Sequence, residues 1–100
     1  MAIYKVRIYP TAQNDFKEII EYLNTLSPQA AIKYYDLMVE KINSLSEMPE
    51  RCPRAKDSQL RIRGYRTLII ENYIVFYVIK DDTVKIHRIL YGRRQYNWLL

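Results

Sequence analysis

Residues 73–80 read YIVFYVIK. A short run that is apolar on both faces predicts a strand lying mid-sheet with both sides covered. Glu71-Asn72 before it and Asp81-Asp82 after it read as two-residue turns. Tyr65–Ile70, Tyr73–Lys80 and Thr83–Tyr91 are therefore expected to form an antiparallel meander, with Gly92 ending the last strand.

Upstream, IYKVRIY (3–9) alternates Ile3, Lys5, Arg7 and Tyr9 against Tyr4, Val6 and Ile8, the pattern of a half-buried strand. Pro10 stops it, and Thr11 is placed to cap a helix with Asn14 and Asp15 in its first turn. Ala12, Phe16, Ile19, Ile20, Leu23 and Leu26 then form one apolar stripe. Ser27-Pro28 is a second helix start, followed by Ala31, Tyr35, Met38, Ile42 and Leu45 at the alternating spacing of helices packed along their length. A short link between two stripes predicts an antiparallel helical hairpin. Residues 46–59, SEMPERCPRAKDSQ, hold two prolines and no periodicity and read as a loop. The order strand, helix, helix, three strands gives an α+β fold, β-α-α-β-β-β: an antiparallel sheet packed on an N-terminal helical hairpin, one domain over residues 1–100. The hairpin covers one face of the sheet. The other is expected to stay open and to carry the basic residues.

Composition narrows the function. The single Cys52 excludes an internal disulfide and a multi-cysteine metal site. No signal-peptide-length apolar run begins the chain, and the longest apolar stretch, Ile74–Ile79, is far short of a membrane helix, so a cytoplasmic protein away from membranes is expected. Net charge is +5, and all of the positive excess lies in the second half. A localised basic patch favours a nucleic acid or an acidic protein partner.

Most enzyme templates lack parts. With two glycines there is no phosphate loop, and with one histidine and one cysteine there is neither HExxH nor a Cys-His pair. No metal or other cofactor is expected. Arginine remains: RIRGYR places Arg61, Arg63 and Arg66 where loop becomes strand, and GRR places Arg93 and Arg94 just past the last strand. A guanidinium stays charged and grips phosphate with a two-pronged fork, and neighbouring tyrosines can stack on exposed bases. A solvated basic edge or a landing site for an acidic partner fits the same residues. His87 reads either as an acid or base near neutral pH or as a plain half-buried histidine sharing a face with Lys85, Ile89 and Tyr91, with Arg88 pointing the other way. Cys52, between Arg51 and Arg54, reads as a bystander or as a thiol with some thiolate character.

YKVRIYPTAQNDFKEIIEYL (4–23), PQAAIKYYDLMVEKINSLSEMP (28–49), GYRTLIIENYIVFYVIKDDTVKIHRIL (64–90) and YGRRQ (91–95) together resemble the RelE/ParE superfamily of toxins from bacterial type II toxin–antitoxin systems. The resemblance implies a growth-arresting, plasmid-stabilising type of protein held in check by a cognate, partly acidic antitoxin that wraps the sheet or the helix grooves. Operator DNA would be reached only through that antitoxin. RelE-like members cleave messenger RNA on the ribosome without a metal; ParE-like members poison DNA gyrase by binding. Carried over by position, the RelE-like arginine after the last strand falls on Arg94, beside Arg93, and the C-terminal tyrosine is nearest to Tyr96. The central-strand arginine falls on Ile74 and the lysines of the preceding strand near Tyr65 and Thr67, where Arg66 lies between them.

The resemblance therefore implies first a ParE-like gyrase inhibitor with no chemistry of its own. A RelE-like endoribonuclease using Arg66, Arg94, Tyr96 and His87 is the second reading, with Arg61, Arg63 and Arg93 binding nucleic acid or target. A non-toxic relative that serves only as antitoxin partner and corepressor is the third. The end of the chain, Trp98, Leu99 and Leu100, is expected to fold back onto protein or to meet the antitoxin.

Overall fold

The computed structural model describes residues 3–92. Strand β1 (Lys5–Ile8) leads into helices α1 (Pro10–Leu26) and α2 (Pro28–Asn43). Two 3₁₀ turns, Ser44–Ser46 and Pro49–Arg51, precede a short helix α3 (Ser58–Ile62) and strands β2 (Arg66–Ile70), β3 (Tyr73–Lys80) and β4 (Thr83–Tyr91). Pro10 opens α1 rather than ending β1 from outside it. Tyr9 is the N-cap residue, with no side-chain bond, where Thr11 was expected. Proline at the first helical position needs no amide donor, so the ring supplies the start that a cap would otherwise give. Ser27 does cap α2, its hydroxyl accepting from the Ala30 amide.

The sheet order is β1-β4-β3-β2. The meander β2-β3-β4 is antiparallel as its turns predicted. β1, however, pairs parallel with β4, in register Lys5–Thr83 to Ile8–Ile86, so the sheet is mixed. A parallel partner requires a crossover between the strands, and the helical hairpin supplies it.

Side chains alternate along β3, and the alternation defines two cores. Tyr73, Val75 and Tyr77 join Ala12, Met38, Ile42, Leu45, Val84, Ile86 and Ile89 beneath the hairpin. Tyr77 is fully buried, donates its hydroxyl to the Pro49 carbonyl at 2.7 Å, and has its ionisation pushed well up by burial. Phe76, Ile74 and Val78 point to the other face, where Ala55, Leu60, Tyr65 and Leu90 close a smaller core. That face, expected to be open, is thus partly roofed by residues 55–65.

The roof holds an element missing from the sequence reading. Asp57 accepts from the amides of Gln59 and Leu60 and starts α3, where loop and then strand were expected. One and a half turns are too short for a helical period to register. Gly64, at φ +86°, ends it: its amide bonds to the Arg61 carbonyl and the Tyr65 amide to Leu60, both at 3.0 Å. This paired closure needs a left-handed residue, which glycine adopts without strain, and brings Tyr65 back onto Leu60.

Two stripe residues are outside the core. Leu26 is 65% exposed and Tyr35 49% exposed, the latter stacked on Phe16 with ring centres 5.3 Å apart. Tyr35 and Ile32 (64% exposed) border a groove of about 350 Å³ between α1 and α2, lined also by Ile20, Glu21, Asn24, Pro28 and Ala31.

Candidate binding face

β4 contains a bulge. Pairing to β3 jumps from Phe76–Arg88 to Tyr77–Ile86, leaving His87 as the extra residue. An inserted residue shifts the alternation by one. His87 therefore faces the smaller core with Tyr65 and Leu90, while Ile89 belongs to the main core and Tyr91 packs edge-on against Tyr73, so the expected shared face with Ile89 and Tyr91 does not exist.

Past the bulge, β4 outruns β1, whose pairing stops at Ile8–Ile86. Helix α1 takes over that edge. The Asp15 carboxylate accepts the Ile89 amide at 3.0 Å and grips the Arg88 guanidinium at 2.7 and 2.9 Å. Asp15 is only 8% exposed, and its bonds hold Arg88 even more firmly protonated than usual. One buried carboxylate thus does for the end of β4 what a neighbouring strand does for its beginning.

His87 is the centre of a row of rings. Tyr9 stacks on it, centroids 4.9 Å apart, and Tyr65 meets it edge-on at 5.3 Å. The Tyr65 hydroxyl and His87 Nδ1 share a hydrogen bond of 3.0 Å, and among the described residues Nε2 is buried without a partner. Burial first, then Lys85 and Arg63, hold the imidazole below its ordinary pKa of 6.5, so it is neutral at pH 7. Cations sit over the outer rings: Arg7 lies 5.8 Å from the Tyr9 centroid and Arg63 5.3 Å from that of Tyr65. The row Arg7–Tyr9–His87–Tyr65–Arg63 crosses the sheet on the face away from the hairpin.

The expected site residues are thus divided. Arg63 and His87 are brought together. Arg66 is elsewhere engaged, donating to the carbonyls of Cys52 at 2.7 Å and Glu50 at 3.1 Å, a brace on the loop. Arg61 is exposed on α3, with one long contact of 3.5 Å to the Lys56 carbonyl. Arg93, Arg94 and Tyr96, with Trp98, Leu99 and Leu100, lie outside the described residues. Cys52 is buried in the main core, as a bystander would be. Arg7, Tyr9 and Lys85 were not singled out in the sequence, although the alternation of residues 3–9 already put Arg7 and Tyr9 on one side. No helix among the described residues is long and apolar enough to cross a membrane, and no three His, Cys, Asp or Glu side chains gather there.

A family profile described as the ParE toxin of the type II toxin–antitoxin system parDE matches residues 6–96. The chain belongs to this ParE toxin family. A solved chromosomal ParDE toxin–antitoxin system from P. aeruginosa is similar over 91% of this chain and 98% of that one, with a TM-score of 0.76 at 20% identity. The RelBE2 toxin–antitoxin complex of Mycobacterium tuberculosis is similar over 91% and 93%, with a TM-score of 0.61 at 25% identity. No curated protein sequence matches the chain. The two-helix hairpin laid on one face of a small sheet is the arrangement shared with these structures, and the family match makes the chain a toxin of the type II toxin–antitoxin kind.

Proposed function

We propose that this ParE-family toxin arrests bacterial growth by binding DNA gyrase, and that it performs no RNA cleavage. The observation that carries this reading is the position of Arg66. It is the one described arginine placed to replace the missing RelE-like cations, and its guanidinium is spent on two loop carbonyls. Ile74, where a RelE-like cleaver would hold an arginine, packs its side chain into the smaller core. His87 is neutral and bonded to Tyr65, a poor start for stabilising a phosphate in transit.

A cognate antitoxin keeps the toxin silent. The α1–α2 groove, with Ile20, Pro28 and Ala31 in its lining and exposed Ile32 and Tyr35 beside them, fits the apolar face of an amphipathic helix.

Shortly after induction in a bacterial host, labelled thymidine incorporation is expected to fall before labelled amino-acid incorporation. Earlier loss of protein synthesis would sink the gyrase reading. In that case Arg94→Ala decides whether the endoribonuclease reading holds: abolished message cleavage supports it, and unchanged cleavage removes it.

A further inference from the structure

β4 runs on past the last paired residue of β1, and beside its end lies a surface cavity of about 430 Å³. Asp15, Glu18 and Tyr22 form one wall, at the three- and four-residue spacing of a single face of α1. Tyr73, Ile89 and Tyr91 form the opposite wall. The Tyr73 and Tyr91 rings stand 5.9 Å apart at 72°, so they make a corner, and exposed Tyr22 faces it from α1. Burial first, then the nearby Tyr34, Tyr22 and Tyr91, raise the pKa of Tyr73, so its hydroxyl is uncharged at pH 7.

The charge of the cavity is negative. Asp15 grips the Arg88 guanidinium, and Glu18 acts on the same guanidinium from farther off. Two carboxylates against one guanidinium leave one negative charge, on exposed Glu18, whose bond comes from the neutral Asn14 amide at 3.2 Å. No lysine or arginine lines the cavity. Helix α1 carries Asp15, Glu18 and Glu21 against Lys17 alone, an acidic element on a chain of net charge +5. A corner of phenol rings with a carboxylate at its edge suits a cation carried on an apolar stem. Arginine fits better than lysine, because its guanidinium is flat, weakly hydrated and forked. An apolar group there would strip water from Glu18 and give nothing back.

We infer that this pocket receives an arginine side chain of a partner protein, its guanidinium set among Tyr22, Tyr73 and Tyr91 and paired with Glu18. Arginine and tyrosine are the residues enriched at the anchoring centres of protein interfaces. The pocket lies on the flank of α1 opposite the α1–α2 groove, which takes Ile20 and Asn24 from that helix. It is therefore a second contact surface, and neither the gyrase reading nor docking in the groove has to hold for it to exist.

The test is an NMR titration of the full chain with N-acetyl-arginine methylamide and, separately, with its uncharged twin, N-acetyl-citrulline methylamide. Saturable shifts at Tyr22, Tyr73 and Tyr91 are expected with the arginine probe, and the citrulline probe should bind about tenfold more weakly. Glu18→Gln is expected to weaken arginine binding about fivefold while leaving the citrulline affinity alone, which a merely structural loss would not do. Tyr22→Leu, at an exposed ring, should cost about threefold with the arginine probe. Glu40→Gln, on the exposed side of α2, is the control and should match the parent. Equal affinity for the two probes overturns the inference, as does parental arginine affinity in Glu18→Gln. Absence of saturable shifts at the three tyrosines overturns it too. Arginine-probe binding about tenfold or more tighter in the Arg93→Gln/Arg94→Gln double variant would mean that the chain's own arginines compete for the pocket, and would overturn its assignment to a partner.

Discussion

At the scale of single residues, Asp15 is the most consequential side chain outside the cores. In the sequence it reads as an acid in the first turn of a helix, favourable there for its charge near the amide end. In the fold it is buried and answers both the Arg88 guanidinium and the Ile89 amide. Removing one member of a buried pair leaves the other without its counter-charge, and here also strips a strand amide of its acceptor. Asp15→Ala is expected to lower stability by about 3 kcal/mol, read as a reduced urea midpoint at unchanged slope. Asp15→Asn, which keeps an acceptor for Ile89, should lose less. A loss below about 1 kcal/mol for the alanine variant would put the pair among ordinary surface bridges.

At the scale of elements, the helical hairpin has two apolar faces with different duties. Met38 and Ile42 meet the sheet, while Ile32 and Tyr35 on the same helix stay largely in solvent. Apolar period alone could not separate them, because Tyr35 falls on the same 4-3 spacing as Ala31 and Met38. Only the angle at which α2 lies on the sheet decides which edge of the stripe is covered. Ile32→Glu is expected to weaken antitoxin binding by at least tenfold in titration calorimetry, since the charge must lose its water in an apolar groove. Thymidine incorporation should still fall when this variant is expressed alone. Antitoxin affinity equal to that of the parent would remove the groove as the docking site. The turns were easier to read than the helices: Glu71 and Asp81 take left-handed backbone at the two places where short links had to reverse the chain.

At the scale of the whole molecule, the bulge at His87 ties stability to pH. The folded chain holds the imidazole below its ordinary value of 6.5, by burial and by the nearby Lys85 and Arg63. An unfolded chain takes up the proton first as pH falls, so the unfolded state binds more protons and stability rises with pH in that range. Stability is therefore expected to be level above neutrality and to decline as pH drops through about 6.5 and below, followed by denaturant midpoints across the series. His87→Phe should lose the part of that decline that begins near 6.5, leaving the carboxylate-driven losses at lower pH. A profile identical to the parent's would mean that the folded imidazole titrates as it does in the open chain.

The residues alone determined the order of the four strands and the two long helices, the two-residue turns, the capped start of α2 and the family, because these depend on neighbours within a few positions or on the succession of whole patterns. What only the tertiary structure decided is non-local: β1 joining β4 in parallel, the extra residue in β4, the reach of Asp15 to a partner 73 positions away, and Arg66 turned into a brace. Periodicity reports which side of an element is apolar, and the bulge erases even that for the residues after it. The grouping of Arg7, Lys85 and Arg63 about the Tyr9–His87–Tyr65 rings joins three elements that are distant in sequence. It exists only once the hairpin has carried the chain across the sheet and set β1 against β4.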